Sequence, residues 1–282
     1  MSLPFTDEFV TVNGVKLHYQ DWGNPDAPPL LMVHGITMSS RTFDPVAAML
    51  KENYHCMTLD LRGHGDSEWA DPETYKVPQY AMDVVGLLDA LGIEKTHYIG
   101  ISLGGITAMA IASVAPHRFS GLALNDIGPK VVSNGAGRIQ STFSYGETPF
   151  PSVEQYAQEV LFSYSERLKA LPLEMVVAFQ KLNMREVEGG FLPKFDPKVL
   201  DMLSGNNANT DEAQQVCWKG FRGLTCPILV IRGEISDILS SETLAEMQAA
   251  QPGMTSVVVP GAGHTPGLTE PIPKAALESF FG

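Results

Sequence analysis

Cysteine, basic charge and long uninterrupted hydrophobic runs are all scarce in this 282-residue chain. The three cysteines, Cys56, Cys217 and Cys226, are odd in number and show no C-x-x-C or metal-type spacing. That excludes a disulfide scaffold and a zinc module, and the three are expected to be buried, reduced thiols. Against 32 Asp and Glu stand only 19 Lys and Arg, a formal net charge of −13 with a pI near 4.9. A field of that sign repels phosphate backbones and anionic headgroups, so no nucleic-acid partner is expected. The most apolar long window, GGITAMAIASVA from Gly104 to Ala115, is too short to span a bilayer and is rich in small residues, as a buried helix would be. No membrane partner is expected either. The opening residues, MSLPFTDEFV, carry neither a basic segment nor an apolar one, so no secretory signal is expected and the expected location is cytoplasmic. The seven histidines form no His-Glu-x-x-His pattern, and calcium-loop carboxylate clusters are absent. Neither metal nor organic cofactor is implied.

What is present is 44 % hydrophobic residue content and 18 % charge, enough for one large globular domain or a core domain with an insertion. FVTVNG and VKLHYQDWG alternate in polarity and meet at Asn13-Gly14, a dipeptide suited to a tight hairpin. Short apolar runs then alternate with stretches of helical period: PLLMVHG and Arg41 to Leu50, HCMTLDLRG and Val77 to Leu91, THYIGIS and Leu103 to Ala115, then GLALNDIG. The alternation resumes with PILVIRG, Ser241 to Gln251, TSVVVPG and Pro271 to Phe281. Continuous apolar strands separated by helices predict a mostly parallel sheet with helices on both faces, an α/β fold. Between these halves the pattern changes to amphipathic helical pieces such as SVEQYAQEVLFSYSERLKAL and LEMVVAFQKLNMREV. Residues 1–128 and 221–282 therefore read as the core, and 129–220 as an inserted helical cap over the carboxyl ends of the strands, where open α/β sheets bind ligands.

One match to G-x-S-x-G, Gly100-Ile101-Ser102-Leu103-Gly104, is a weak signal alone. Its setting is stronger, because it follows the strand THYIG and precedes the helix LGGITAMAIA, the strand-turn-helix context of a nucleophile elbow. A serine held in so tight a turn needs neighbours without bulk, and the glycines at 100 and 104 meet that need.

With HGITMSSRTFDPV, DLRGHGDS and PGAGHTP added to the elbow, the chain resembles the α/β-hydrolase fold superfamily over nearly its whole length, in the branch with a serine nucleophile and a helical cap. The resemblance implies an oxyanion hole from the backbone N–H groups of Ile36 and Leu103. His34 and His64 are expected to order their loops, with Arg62 and Asp66 as polar braces. A general base must reach Ser102 from the carboxyl edge of the sheet, and only His264 follows the final strand in a Gly-rich turn. His18, His55, His97 and His117 read as structural. Two carboxylates compete to orient that imidazole. The commoner family arrangement, Gly-x-x-Asp after PILVIRG, is not met, since Gly233-Glu234-Ile235 is followed by Ser236 and Asp237 stands one place late. Asp126, at the end of GLALNDIG, occupies the other position, which is similar to that used by haloalkane dehalogenases and by acetamidomethylene-succinate hydrolases. Asp126 is therefore expected as the acid, with Asp237 as the alternative.

A serine nucleophile excludes the dehalogenase and epoxide-hydrolase branches and leaves acyl chemistry. The expected activity is cofactor-free cleavage of a small carboxylic ester, or a related acyl or C–C substrate, through an acyl-enzyme. A non-hydrolytic ligand-binding receptor and a lyase using the same residues are the alternatives. Arg138 in NGAGRI is a candidate clamp for a substrate carboxylate, with a plain surface arginine as the competing reading. The cap aromatics read mostly as cap core.

Overall fold

The computed structural model describes residues 4–145, 148–204 and 210–282. In chain order its strands are β1 (Thr6–Val12), β2 (Val15–Asp21), β3 (Pro29–Val33), β4 (His55–Leu59), β5 (Thr96–Ile101), β6 (Phe119–Asn125), β7 (Met184–Val187), β8 (Gly190–Pro193), β9 (Ile228–Gly233) and β10 (Thr255–Val259). Eight of them form one sheet in the order β1-β2-β4-β3-β5-β6-β9-β10. The opening hairpin pairs Val12 with Val15 across Asn13-Gly14, β2 runs antiparallel to β4, and every later pairing is parallel.

Core helices are α1 (Asp44–Leu50), α2 (Val77–Ala90) and α3 (Leu103–Ala112). The central strands are apolar on both sides because each side is covered. On β3, Leu30 and Met32 enter one core with Val46 and Leu50 of α1, while Leu31 and Val33 enter the other with Val84 of α2 and Met109 of α3. This is the period-two alternation of a strand buried on both faces. The strands' carboxyl ends thus share one edge, and the loops that follow β3, β5, β6 and β9 converge there.

Between β6 and β9 the chain forms α4 (Ser133–Phe143), α5 (Val153–Tyr156), α6 (Phe162–Tyr164), α7 (Glu166–Lys169), α8 (Leu173–Leu182) and α9 (Asp211–Gly223), and α10 (Ser241–Ala250) and α11 (Pro271–Phe281) complete the fold. This segment is not purely helical, as the sequence had suggested. The helical run LEMVVAFQKL stops at Leu182, and β7 pairs antiparallel with β8 from Met184↔Pro193 to Val187↔Gly190. Glu188-Gly189 turns the chain back, with Gly189 at φ +88°, a backbone region that favours glycine. The last helix of the segment, α9, packs along α3 and buries Cys217 and Phe221 in the core. Of the three thiols, Cys56 and Cys217 are buried as expected, whereas Cys226 is only half-buried, and all three are unpaired. Among the described residues no helix is long and apolar enough to cross a membrane.

Candidate active site

Ser102 lies between the last residue of β5 and the first of α3, with φ 47° and ψ −108°. Such a conformation costs a non-glycine residue about 1–3 kcal/mol and persists only where its surroundings enforce it. Here the Ser102 N–H donates to the Asn125 carbonyl at 3.2 Å, and the Gly105 N–H donates to the Ser102 carbonyl at 2.9 Å. The turn leaves no room for side chains beside it: a Cβ on Gly100 would stand 2.6 Å from the Gly105 nitrogen, and one on Gly104 would overlap the Val33 carbonyl.

From this serine a continuous line of hydrogen bonds runs inward. Ser102 Oγ lies 3.0 Å from His264 Nε2, and His264 Nδ1 lies 2.8 Å from Asp126 Oδ2. With Nδ1–H donating to the carboxylate, Nε2 is left as the acceptor for the serine hydroxyl. Asp126 follows β6, is fully buried, and is held on both oxygens. Its Oδ1 accepts from the Gly233 N–H at 2.8 Å, and its Oδ2 also accepts from Ser236 Oγ at 2.6 Å. The serine that occupies the commoner acid position thus points its hydroxyl at the carboxylate of the preceding strand. The loop bearing His264 is tied down by Asn125, whose Nδ2 donates to the Pro266 carbonyl at 3.0 Å.

Asp237 is turned elsewhere. Its two oxygens meet Arg138 Nε at 2.6 Å and Nη2 at 2.8 Å, and these hydrogen bonds hold its carboxyl below the usual carboxylate range. Arg138 also donates to the Tyr164 carbonyl at 3.2 Å and lies over the Tyr164 ring. Arg138, the candidate clamp for a substrate carboxylate, here grips a carboxylate of the chain itself. The guanidinium fork already grips Asp237, and Arg138 is not among the residues lining the cavity at Ser102.

Around the serine, neither the Ile36 nor the Leu103 N–H donates to a protein acceptor among the described bonds, and both residues stand in the wall beside Ser102. A family model described as the alpha/beta hydrolase fold matches residues 28–271. The chain belongs to the alpha/beta hydrolase fold family. It is 33 % identical over 274 residues to a 3-hydroxybutyrate-oligomer hydrolase of Cupriavidus necator, covering 94 % of this chain and 92 % of that one. It is also 26 % identical to a 2-(acetamidomethylene)succinate hydrolase of Mesorhizobium japonicum, over 98 % of this chain and 94 % of that one. Among solved structures, an alpha/beta hydrolase from Novosphingobium aromaticivorans is similar to it with a TM-score of 0.90 and 32 % identity, over 100 % of this chain and 99 % of the other.

In this alpha/beta hydrolase His34, His64 and His18 hold structural positions, their rings bonded to groups other than Ser102. His34 is buried, accepts the Leu61 N–H on Nε2 at 3.1 Å and donates from Nδ1 to the Gly35 carbonyl at 2.7 Å. His64 donates to the Arg62 carbonyl at 2.9 Å, and burial pushes its pKa down to about 3. Arg62 braces a different element from the one expected, gripping Asp83 of α2, and Asp66 pairs with Lys194 at 2.8 Å. The buried hub of that turn is Asp60, unremarked in the sequence, which accepts from the Ser40 and Asp66 N–H groups at 2.6 and 2.9 Å and meets His18 Nδ1 at 2.7 Å.

Ser102 and His264 open into a cavity of about 350 Å³. Its floor comes from the strand-end loops and its roof from the segment between β6 and β9, chiefly Phe143, Leu161, Val176 and Phe179. The one cationic side chain among its described lining residues is Arg167, whose Nη1 lies 2.6 Å from Glu270 Oε1. Nothing in the local sequence around Arg167 singles it out; only the placement of the roof puts it at the cavity. A larger cavity, about 630 Å³, contains neither Ser102 nor His264.

Proposed function

We propose that this protein is a cofactor-free serine hydrolase that cleaves small carboxylic esters through an acyl-enzyme. The observation that carries the reading is the hydrogen-bonded line Ser102 Oγ, His264 Nε2, His264 Nδ1, Asp126 Oδ2, at 3.0 and 2.8 Å. Ser102 Oγ attacks the ester carbonyl carbon as His264 Nε2 takes its proton, and Asp126 holds the imidazole tautomer and stabilises the imidazolium. The oxygen of the tetrahedral intermediate accepts from the Ile36 and Leu103 N–H groups, each such donor contributing about 3–4 kcal/mol to the transition state. The C–O bond then breaks, and the leaving alcohol takes the proton from His264. In the second half a water gives its proton to His264 and attacks the acyl carbon, releasing the carboxylic acid and restoring Ser102.

The full-length likeness to a 3-hydroxybutyrate-oligomer hydrolase supports an ester as the scissile bond. In this reading residues 129–220 are the cap that roofs the cavity, with α9 leaning back on the core. The test is turnover of p-nitrophenyl acetate with an initial burst, together with labelling of Ser102 by a fluorophosphonate. Ser102→Ala is expected to abolish both. Wild-type protein that takes up no probe and releases no p-nitrophenol would overturn the reading.

A further inference from the structure

Ser102 borders two spaces rather than one. Beside the 350 Å³ cavity is a recess of about 40 Å³, and Ile36, Ser102 and Ile139 belong to the walls of both. Apart from Ser102, every described residue lining the recess is hydrophobic. On its far side lies the 630 Å³ groove, which shares Val77, Ile106, Val131 and Met202 with the recess. Those four residues border both spaces and so stand between the recess and a second opening. Three of them are only half-buried, and the fourth, Met202, is an unbranched thioether on the 3-10 helix Pro197–Leu203. Methionine has three rotatable side-chain bonds and shifts readily between arrangements.

The direction of a substrate across this junction follows from the proton. The leaving alcohol must stand next to His264, and His264 lines the 350 Å³ cavity but not the recess. The acyl side then points the other way, past the Ile36 and Leu103 amides. We propose that the recess and, through the Met202 partition, the 630 Å³ groove form an acyl-chain subsite, so that the substrates are esters of linear, apolar acyl chains that run out toward the second opening. The outer groove sets two cations, Lys76 and Lys198, against three carboxylates, Glu73, Asp201 and Glu212, so an anionic chain end is disfavoured there. This inference rests on Ser102 and His264 acting as nucleophile and base.

The test is kcat/KM for p-nitrophenyl acetate, butanoate and octanoate. In the wild-type protein the value is expected to rise with acyl length beyond butanoate, by up to about fourfold per buried methylene. Met202→Trp and, at the half-exposed start of α2, Val77→Phe fill the partition and are expected to lower the octanoate-to-acetate ratio by about tenfold or more. Met202→Ala opens it and is expected to raise that ratio, an opposite sign that misfolding does not imitate. Acetate turnover with an octanoate-to-acetate ratio indifferent to all three substitutions overturns the acyl subsite alone. Failure of the wild-type protein to hydrolyse any of the three esters overturns both this inference and the serine-hydrolase reading.

Discussion

Asp126 and Asp237 are distant in sequence, yet Asp126 bonds to Gly233 and Ser236 of the loop that carries Asp237, and their surroundings set what each can do. Asp126 is fully buried with three donors on its carboxylate, one of them His264. Asp237 is half-exposed and bound in a fork to Arg138. Asp126→Asn is expected to lower kcat by about 10³–10⁴, the scale of loss when the triad imidazole is held in the wrong tautomer. Asp237→Asn is expected to leave kcat within about tenfold and to cost no more than about 1 kcal/mol of stability, since its ion pair is solvent-screened. Ser236→Ala, which removes one donor to Asp126 Oδ2, is expected to fall between the two. A kcat profile with Asp237→Asn lowest would reverse the assignment. Ser102 was legible because the elbow's steric demand is met by its own neighbours. The choice between carboxylates was less so, because a one-residue offset in a loop does not say where the side chain turns.

Arg62 and Asp83 show the same limit for whole elements. Their side chains are 3 % and 0 % exposed and meet at 2.5 and 2.7 Å, fastening the loop after β4 to α2. Asn13 of the β1–β2 turn adds a hydrogen bond to Asp83 at 3.0 Å, so one carboxylate joins three elements. Asp83→Leu strands a buried guanidinium and is expected to destabilise the fold by about 3–5 kcal/mol, read as a lowered urea midpoint at unchanged slope. An unchanged midpoint would show that the pair holds nothing. The helices and strands themselves were legible, since apolar runs and helical periods are written in adjacent residues. The β7–β8 hairpin was not, because each strand is only 4 residues long, too short to show alternation against a helical background.

For the molecule as a whole, the acid limb of stability carries a contribution from buried histidines. His34 and His64 pack with ring centroids 5.0 Å apart and planes tilted by 54°, and burial lowers the pKa of both, that of His64 to about 3. In the unfolded chain an imidazole takes up its proton near about 6.5. Between those values the unfolded state binds a proton that the folded state refuses, so the His64 contribution is complete above about 6.5 and is lost as pH falls toward 3. Asp44 acts in the opposite sense: burial raises its pKa to about 6, and it gains stability as pH falls through that value. The decisive measurement is therefore a difference. Between pH 7 and pH 5, His64→Gln is expected to improve by about 2 kcal/mol relative to the wild-type protein, and a constant gap would remove the effect. The chain by itself determined the α/β sheet, the inserted segment and the turn that presents Ser102, because periodicity and turn sterics act between near neighbours. Only the tertiary structure decided which carboxylate faces His264, what Arg138 holds and what lies behind the serine. Those depend on contacts such as Asp126 to His264 and Ser102 to His264, 138 and 162 residues apart, which exist only once the order of strands in the sheet has brought the loop ends together.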